Sequence, residues 1–363
     1  MDLFELCAKF GIDATFVKAI DTGIINKTFL VEDKDHKKFI LQEINNYVFS
    51  NVDELMNNIE RVSNFINNKS YESDDSIQTL SIVKSEPVEY NYIHVFDEDY
   101  REHYFRMYNF IDNAVTFDQA DTEHLYEAGV GFGNFQKQLD GFDAETLFET
   151  IPNFHNTPLR FEMFKHAQEK ALSENPERLK KAEKEIEFAN QNASISGIIV
   201  DALSSGEIPV RVVHNDTKLN NVMFDKDTGK AVAIIDLDTV MPGSLLYDYG
   251  DAIRFISNTA PEDERDLDKI GFDFEKFDAF TSGYLKETFG ILTPKELELM
   301  PQAPLVLTYE LGIRFLADYL EGDKYFVCDP SRPDHNLERA KAQFRLLEIM
   351  KTLDLNSSKQ LNF

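Results

Sequence analysis

The chain has no tryptophan and only two cysteines, Cys7 and Cys328, among its 363 residues. Two thiols so far apart in sequence supply no disulfide framework, which fits a reducing compartment. Basic residues are scarce as well: 37 Lys and Arg stand against 65 Asp and Glu, a formal net charge of −28. That balance excludes nucleic acid and anionic membrane surfaces as expected partners. It also means that any polyanionic ligand must be met by local cations. No stretch approaches the ~18 apolar residues of a membrane span. The opening MDLFELCAKFGI lacks the basic start and long apolar core of a secretion signal. The expectation is a soluble, cytoplasmic protein. Repeats and low-complexity tracts are missing too, apart from a polar tail at Asn356 to Gln360 that is expected to fray. What is abundant is apolar material, 42% of the chain with 30 Phe, enough for a two-lobed unit around a cleft.

Periodicity divides the chain. Residues 2–10 read as a short helix. TGIINKTFLVED and KKFILQE then form a β-hairpin around a polar turn, with Gly23 just before the first strand. Asn51 to Asn67 places Leu55, Met56, Ile59, Val62 and Ile66 at helical spacing. Strands are expected at Ser76 to Val83, near Tyr90 to Phe96 and at His103 to Phe110. Helices then dominate, over Asp118 to Leu139, Pro158 to Leu172, Pro176 to Ser204, Phe274 to Thr288, Pro294 to Leu320 and Leu337 to Leu353. The fold class read from this order is α+β and protein-kinase-like. It has a β-rich N-terminal lobe (residues 1–106), a hinge (107–112) and a large, mainly helical C-terminal lobe (113–363), with the ligand pocket between them.

The most informative stretch runs from Val212 to Asp251. It contains His214-x-Asp216-x-x-x-x-Asn221, preceded by an apolar strand (Ile208 to Val213). Two apolar runs, Val222 to Phe224 and Ala231 to Ile235, flank the turn-forming DKDTGK and predict a β-hairpin. Asn221 and Asp236 are equidistant from its centre and should meet at its open end. An amide oxygen and a carboxylate there can share a hard cation such as Mg²⁺. Asp216, in the loop entering the hairpin, can accept a proton from a substrate hydroxyl. Loop and hairpin together have the layout of a phosphotransferase catalytic loop with its metal aspartate. A metal-hydrolase reading fits less well, because no second His follows His214 within 50 residues.

With these residues aligned, the chain resembles the aminoglycoside phosphotransferase and choline kinase superfamily. Within it, the chain is similar to the N-acetylhexosamine 1-kinases. The segments carrying the likeness include GIINKTFLV, FRMYNFID, FHNTPLRFEMF, HNDTKLNNVMFD, IIDLDTVMPGSLLYDYGDAIRF and LGIRFLADYLEGDKYF. The resemblance implies ATP as phosphoryl donor, Mg²⁺ as metal, a sugar as acceptor, and a monomer or homodimer. It implies Asp216 as catalytic base or hydroxyl-orienting group, and Asn221 and Asp236 as metal ligands. His214 would brace the loop, and Asp248 would be the buried aspartate that steadies it. Asp238 either reaches a second metal or a water, or is an idle exposed carboxylate.

In the N-terminal lobe, Gly23, Asn26 and Thr28 are candidates for the turn over the nucleotide phosphates. FILQ places Gln42 where protein kinases carry a phosphate-pairing lysine. Lys27 and Lys38 are candidates to supply the missing charge. Glu60, on the following helix, would orient Gln42. Met107, Tyr108 and Phe110 belong to the hinge segment that would read the adenine edge. Gly129, Gly131 and Gly133 mimic a phosphate loop but sit inside a helical pattern, so close helix packing is their expected role. Glu310, Arg314 and Asp318 share one face of a helix. The resemblance to the sugar kinases makes Arg314 a candidate donor to sugar hydroxyls, with Asp318 beside it or holding it. The leading expectation is phosphorylation of the anomeric hydroxyl of GlcNAc or GalNAc. The alternatives are a kinase for another small alcohol (aminoglycoside, choline, homoserine or a different sugar) or a non-catalytic nucleotide-binding protein.

Overall fold

The computed structural model describes residues 2–20, 25–70 and 76–356. A short helix α1 (Leu3–Ala8) leads into β1 (Ala14–Ile20), β2 (Lys27–Asp33) and β3 (Lys38–Ile44). Helix α2 (Val52–Ser70) follows, then β4 (Gln78–Thr79), β5 (Ile82–Val83), β6 (Ile93–Phe96) and β7 (Glu102–Asn109). The main sheet is antiparallel in the order β1-β2-β3-β7-β5, with β6 sharing the far edge of β7. Strand β1 was not anticipated; its apolar residues are interrupted by Lys18 and are only partly covered.

Side chains alternate across β3 and β7. Phe39, Leu41, Phe105 and Met107 join α1 residues Leu6 and Cys7 in a small core on one face. Gln42 and Ile44, with Arg106 and Tyr108, therefore face the other way, toward α2 and the cleft. Helix α2 meets that face with Leu55, Met56, Ile59, Val62 and Ile66, each at most 1% exposed. Burial of each side chain is worth roughly 1.5–3 kcal/mol before entropy is counted.

Strand β8 (Ala114–Val115) and helix α3 (Thr122–Gln138) open the second lobe. The region 157–204, expected as two helices, contains α4 (Thr157–Glu174), α5 (Pro176–Lys181), α6 (Glu183–Gln191) and α7 (Gly197–Ser204). Then come β9 (Arg211–Val213), β10 (Val222–Asp225), β11 (Ala231–Ile234), β12 (Met241–Gly243) and α8 (Leu245–Ile256). The described residues end with α9 (Phe274–Thr288), α10 (Pro294–Leu299), α11 (Ala303–Glu321) and α12 (His335–Lys351). Helix α8 was not expected from sequence. Almost every residue on it is buried, and its polar residues Asp248, Asp251 and Arg254 serve internal hydrogen bonds and ion pairs instead of a solvated face. The second sheet runs β4-β11-β10-β8, so two residues from the N-terminal part pair with the 222–234 hairpin. Thr79 reinforces this pairing by donating to the Ile234 carbonyl at 2.6 Å.

The glycines of α3 have the packing role expected of them. A Cβ on Gly129 would fall 2.1 Å from the Phe280 carbonyl oxygen, and one on Gly133 would fall 2.7 Å from that of Tyr284. Gly283 of α9 reciprocates, since its Cβ would lie 2.0 Å from the Tyr126 carbonyl. The two backbones are in direct contact.

Candidate functional site

The hairpin register differs by one residue from the symmetric expectation. A bulge between Met223 and Phe224 pairs Val222 with Ile234, and the Ile235 amide donates to the Asn221 carbonyl at 2.9 Å. Ile235, not Asp236, lies opposite Asn221. Asp236 follows in a left-handed conformation (φ 60°), which swings it off the strand at the hairpin mouth.

The loop before the hairpin is held by its own side chains. Asn221 Nδ2 donates to the Asp216 carbonyl at 2.8 Å and to its Oδ2 at 3.0 Å. His214 is fully buried between the edges of Phe132 and Phe135. Its Nδ1 accepts from the Asp216 amide at 3.3 Å, so Nε2 carries the proton donated to the Ile235 carbonyl at 2.9 Å. Asp248 lies below, accepting from the His214 amide (2.9 Å), the Asn215 amide (2.7 Å) and Gln136 Nε2 (2.7 Å). Burial pushes the Asp248 carboxyl up, against the pull of His214 and these donors. Asn215 and Thr239 exchange hydrogen bonds with each other's segments, tying this loop to the one after Asp236.

Lys218, not singled out from sequence, places its ammonium 2.7 Å from Asp216 Oδ1. Burial would lower its pKa, but Asp216, Asp251 and Asp236 raise it overall. A Lys two residues after the catalytic-loop Asp was the available signal.

Asp236 is solvent-accessible by area, yet neighbouring atoms and acidic groups crowd it. Its carboxyl is pushed up to about 7 by this crowding, which desolvates it, and by Asp238 and Asp216, with Arg106 and Lys218 pulling the other way. Among the described residues no cluster of three or more His, Cys, Asp or Glu is arranged to hold a metal. What the site offers is the Asp236 carboxylate, with no hydrogen-bond donor among the described residues, and the amide oxygen of Asn221. Two protein oxygens, completed by phosphate oxygens and water, suit Mg²⁺. The residues present fit such an ion.

Asp238 stands apart from that set. It lies in the 3₁₀ turn Leu237–Thr239 and is 4% exposed, so it is neither on a strand nor idle at the surface. Oδ1 is 2.5 Å from Arg106 Nη1, and Oδ2 accepts from Asn26 Nδ2 at 2.6 Å. Arg106, itself 1% exposed, also donates from Nε to Gln42 Oε1 at 3.0 Å. Gln42 in turn donates to the Thr28 hydroxyl at 3.1 Å. Asn26 Oδ1 receives the Asn45 amide at 2.9 Å. The side chains proposed to face nucleotide phosphates are thus engaged with one another.

Arg106 is a second residue that sequence reading missed. The register pairs it with Gln42, and a cation in the apolar strand YFRMYNF was the signal. Glu60 does not orient Gln42: it pairs with Lys84 at 2.7 Å and accepts from Asn91 at 2.6 Å. Lys27 pairs with Glu43 at 2.9 Å, and Lys38 lies over the Phe110 ring. Gly23 falls outside the described residues. Met107 and Tyr108 are core residues inside β7, paired with both β3 and β5, so the connection between lobes begins near Phe110.

On α11, Arg314 lies 5.6–6.0 Å from the ring centres of Phe154, Tyr325 and Phe326. Its side chain is 16% exposed, and its nearest carboxylate oxygen, on Glu310, is 3.9 Å away. Asp318 does not hold Arg314. It accepts from the amides of Lys324, Tyr325 and Phe326 and from Asn336, and so shapes the loop bearing two of those rings. Glu310 accepts from the Thr157 hydroxyl at 2.6 Å and pairs with His155 at 2.9 Å. The His155 ring packs against Tyr247 of α8, one residue before Asp248, which joins the Glu310 region to the helix beneath the Asp216 loop.

A β-sheet lobe, a helical lobe and an Asp–Asn–Asp constellation on a loop and hairpin between them define a kinase-like phosphotransferase. The sequence profile described as "Phosphotransferase enzyme family" matches residues 17–280, and the chain belongs to that family, whose members phosphorylate small alcohols. Solved structures agree in fold. An aminoglycoside phosphotransferase from Alicyclobacillus acidocaldarius superposes with a TM-score of 0.62 at 12% identity, covering 95% of this chain and 94% of that one. A spectinomycin phosphotransferase in complex with ADP and spectinomycin gives 0.58 at 14% identity, covering 99% and 98%. A choline kinase from Cryptosporidium parvum gives 0.56 at 15%, covering 99% of each chain. No helix among the described residues is long and apolar enough to cross a membrane.

Proposed function

We propose that this protein is an ATP- and Mg²⁺-dependent kinase that phosphorylates the anomeric hydroxyl of N-acetylhexosamines, GlcNAc or GalNAc. The N-terminal lobe extends through β7 to Asn109, and the segment that follows leads into β8 of the second lobe. The observation that carries the acceptor class is Arg314, whose guanidinium has no hydrogen bond among the described residues and is flanked by three aromatic rings. Apolar ring faces with a free set of N–H donors match a pyranose, which offers C–H faces and oxygen acceptors. A cationic acceptor such as choline would favour aromatic walls without a guanidinium. The donor assignment is supported by solved relatives, one holding ADP and another AMP-PNP with Ca²⁺.

In this reading Asp216, held by Asn221 and Lys218, orients the anomeric hydroxyl and takes its proton late in a loose transition state. That hydroxyl is more acidic than an ordinary sugar alcohol, so a positioned carboxylate suffices. Lys218 then faces the transferring phosphoryl group, moving from Asp216 to the incoming anionic oxygens. Asp236 and Asn221 would hold the metal, which neutralises charge on the phosphates when bound. Arg106 keeps Asp238 engaged, leaving Asp236 as the open carboxylate.

The test is an ADP-release screen over free sugars, amino alcohols and aminoglycosides, with the product examined by proton-coupled phosphorus NMR. A phosphate on C1 couples to one ring proton, whereas one on C6 couples to two. The expected product is the 1-phosphate. A 6-phosphate, or turnover confined to amino alcohols, would leave only the family assignment.

A further inference from the structure

Arg160, near the start of α4, has more donors than partners. Its Nη2 donates to the Phe154 carbonyl at 3.2 Å, and Nη1 reaches only the Met163 sulfur at 3.8 Å. Its Nε is buried without a hydrogen-bond partner. Arg314 approaches the same residue from α11, its guanidinium carbon 5.8 Å from the Phe154 ring. Two guanidinium groups, each with five N–H donors, therefore flank Phe154 with most donors free. Glu310 comes no nearer than 3.9 Å to Arg314, pairs with His155 and accepts from Thr157, and no salt bridge among the described residues joins a carboxylate to Arg160. Burial and the nearby Arg314 charge hold the Arg160 pKa below its usual value, as expected for neighbouring like charges. In a chain of net charge −28 this is a local excess of positive charge.

We propose that Arg160 and Arg314 form a two-guanidinium seat for the carbonyl oxygen of the acceptor's N-acyl group, and that this seat rejects acceptors carrying an ammonium. The inference rests on the reading that this cleft takes an N-acetylhexosamine. A carbonyl oxygen has two lone pairs and can accept one N–H from each side chain. Removing the acetyl group exchanges that acceptor for a cation facing two cations. Specificity then comes as much from repulsion of the wrong acceptor as from attraction of the right one.

The experiment compares N-acetylglucosamine, glucose and glucosamine as acceptors for the wild type, Arg160→Gln and Arg160→Lys, at mildly acidic pH where glucosamine is an ammonium. The wild type should rank them in that order by kcat/KM. Arg160→Gln should lose about tenfold on the N-acetyl sugar, the scale of one charged hydrogen bond, and gain on glucosamine. Arg160→Lys should lose N-acetyl affinity for want of the planar fork yet still reject glucosamine. The KM for ATP should stay unchanged in both, which serves as the folding control.

Turnover of the N-acetyl sugar with an unchanged N-acetyl to ammonium ratio in Arg160→Gln overturns the seat while the function stands. A wild type that prefers glucosamine overturns both. If instead a non-sugar acceptor from the screen is the substrate, the function fails and the seat is tested on that acceptor and its aminated analogue. A ratio that collapses in Arg160→Gln supports the seat there, and an unchanged ratio overturns it.

Discussion

Among single residues, the buried pair of Arg106 and Asp238 bears most directly on stability. Both side chains are nearly inaccessible, 1% and 6%, so truncating one strands a charge away from water. Arg106→Met should cost roughly 3–5 kcal/mol of unfolding free energy, the usual penalty for breaking a buried pair from one side. Arg106→Met combined with Asp238→Asn should recover a large part, since no charge is then left unpaired. Denaturant melts of the two single variants and the double variant measure the coupling. Additive losses would show that the contact is weaker than its 2.5 Å distance implies. Asp216 belongs to chemistry instead. Asp216→Asn keeps the shape of the loop and frees Lys218, and turnover should fall at least ~10²-fold with little change in melting temperature. Near wild-type turnover would remove Asp216 from the mechanism.

At the level of elements, legibility followed sequence distance. The loop and hairpin that bring Asp216, Asn221 and Asp236 together lie within 21 residues, and turn chemistry was enough to anticipate them. The bulge at Met223 was not legible, because nothing in VMFDKDTGKAV distinguishes a two-residue shift in one strand from regular pairing. Arg106, Asn26 and Asp238 meet only in three dimensions, so their network was invisible, and Gln42 was matched with Glu60 instead of its partner across the sheet. Helix α8 was missed because its polar residues Asp248, Asp251 and Arg254 turn inward, so the segment reads only as part of the catalytic motif. The close helix packing read from the glycines of α3 is the reverse case: Gly131 meets the 222–234 hairpin, while Gly129 and Gly133 meet α9. Gly129→Ala tests how rigid that contact is. The added methyl would sit 2.1 Å from the Phe280 carbonyl, so two helices must separate. A loss of about 3 kcal/mol is expected, at the upper end for overpacking a core. An unchanged melting temperature would mean that α9 shifts freely.

For the whole molecule, the governing quantity is charge. A net −28 repels an approaching polyanion at long range, whereas the cations near the candidate site, Lys218 and Arg106, act over a few ångströms and are partnered by Asp216 and Asp238. Salt screens the long-range repulsion first, because the Debye length shrinks from about 30 Å at 0.01 M to about 8 Å at 0.15 M. Enclosed ion pairs are screened much less. Raising ionic strength over that range, with free Mg²⁺ held constant, should therefore increase kcat/KM for ATP several-fold while kcat changes little. This is opposite in sign to an enzyme that steers its nucleotide with a basic surface, where salt slows capture. The same titration against the acceptor discriminates further: a neutral sugar should show a flat KM, because there is no net charge to screen. A kcat/KM for ATP that falls with salt would show that the local field of Lys218 and Arg106 reaches beyond the cleft and outweighs the acidic surface.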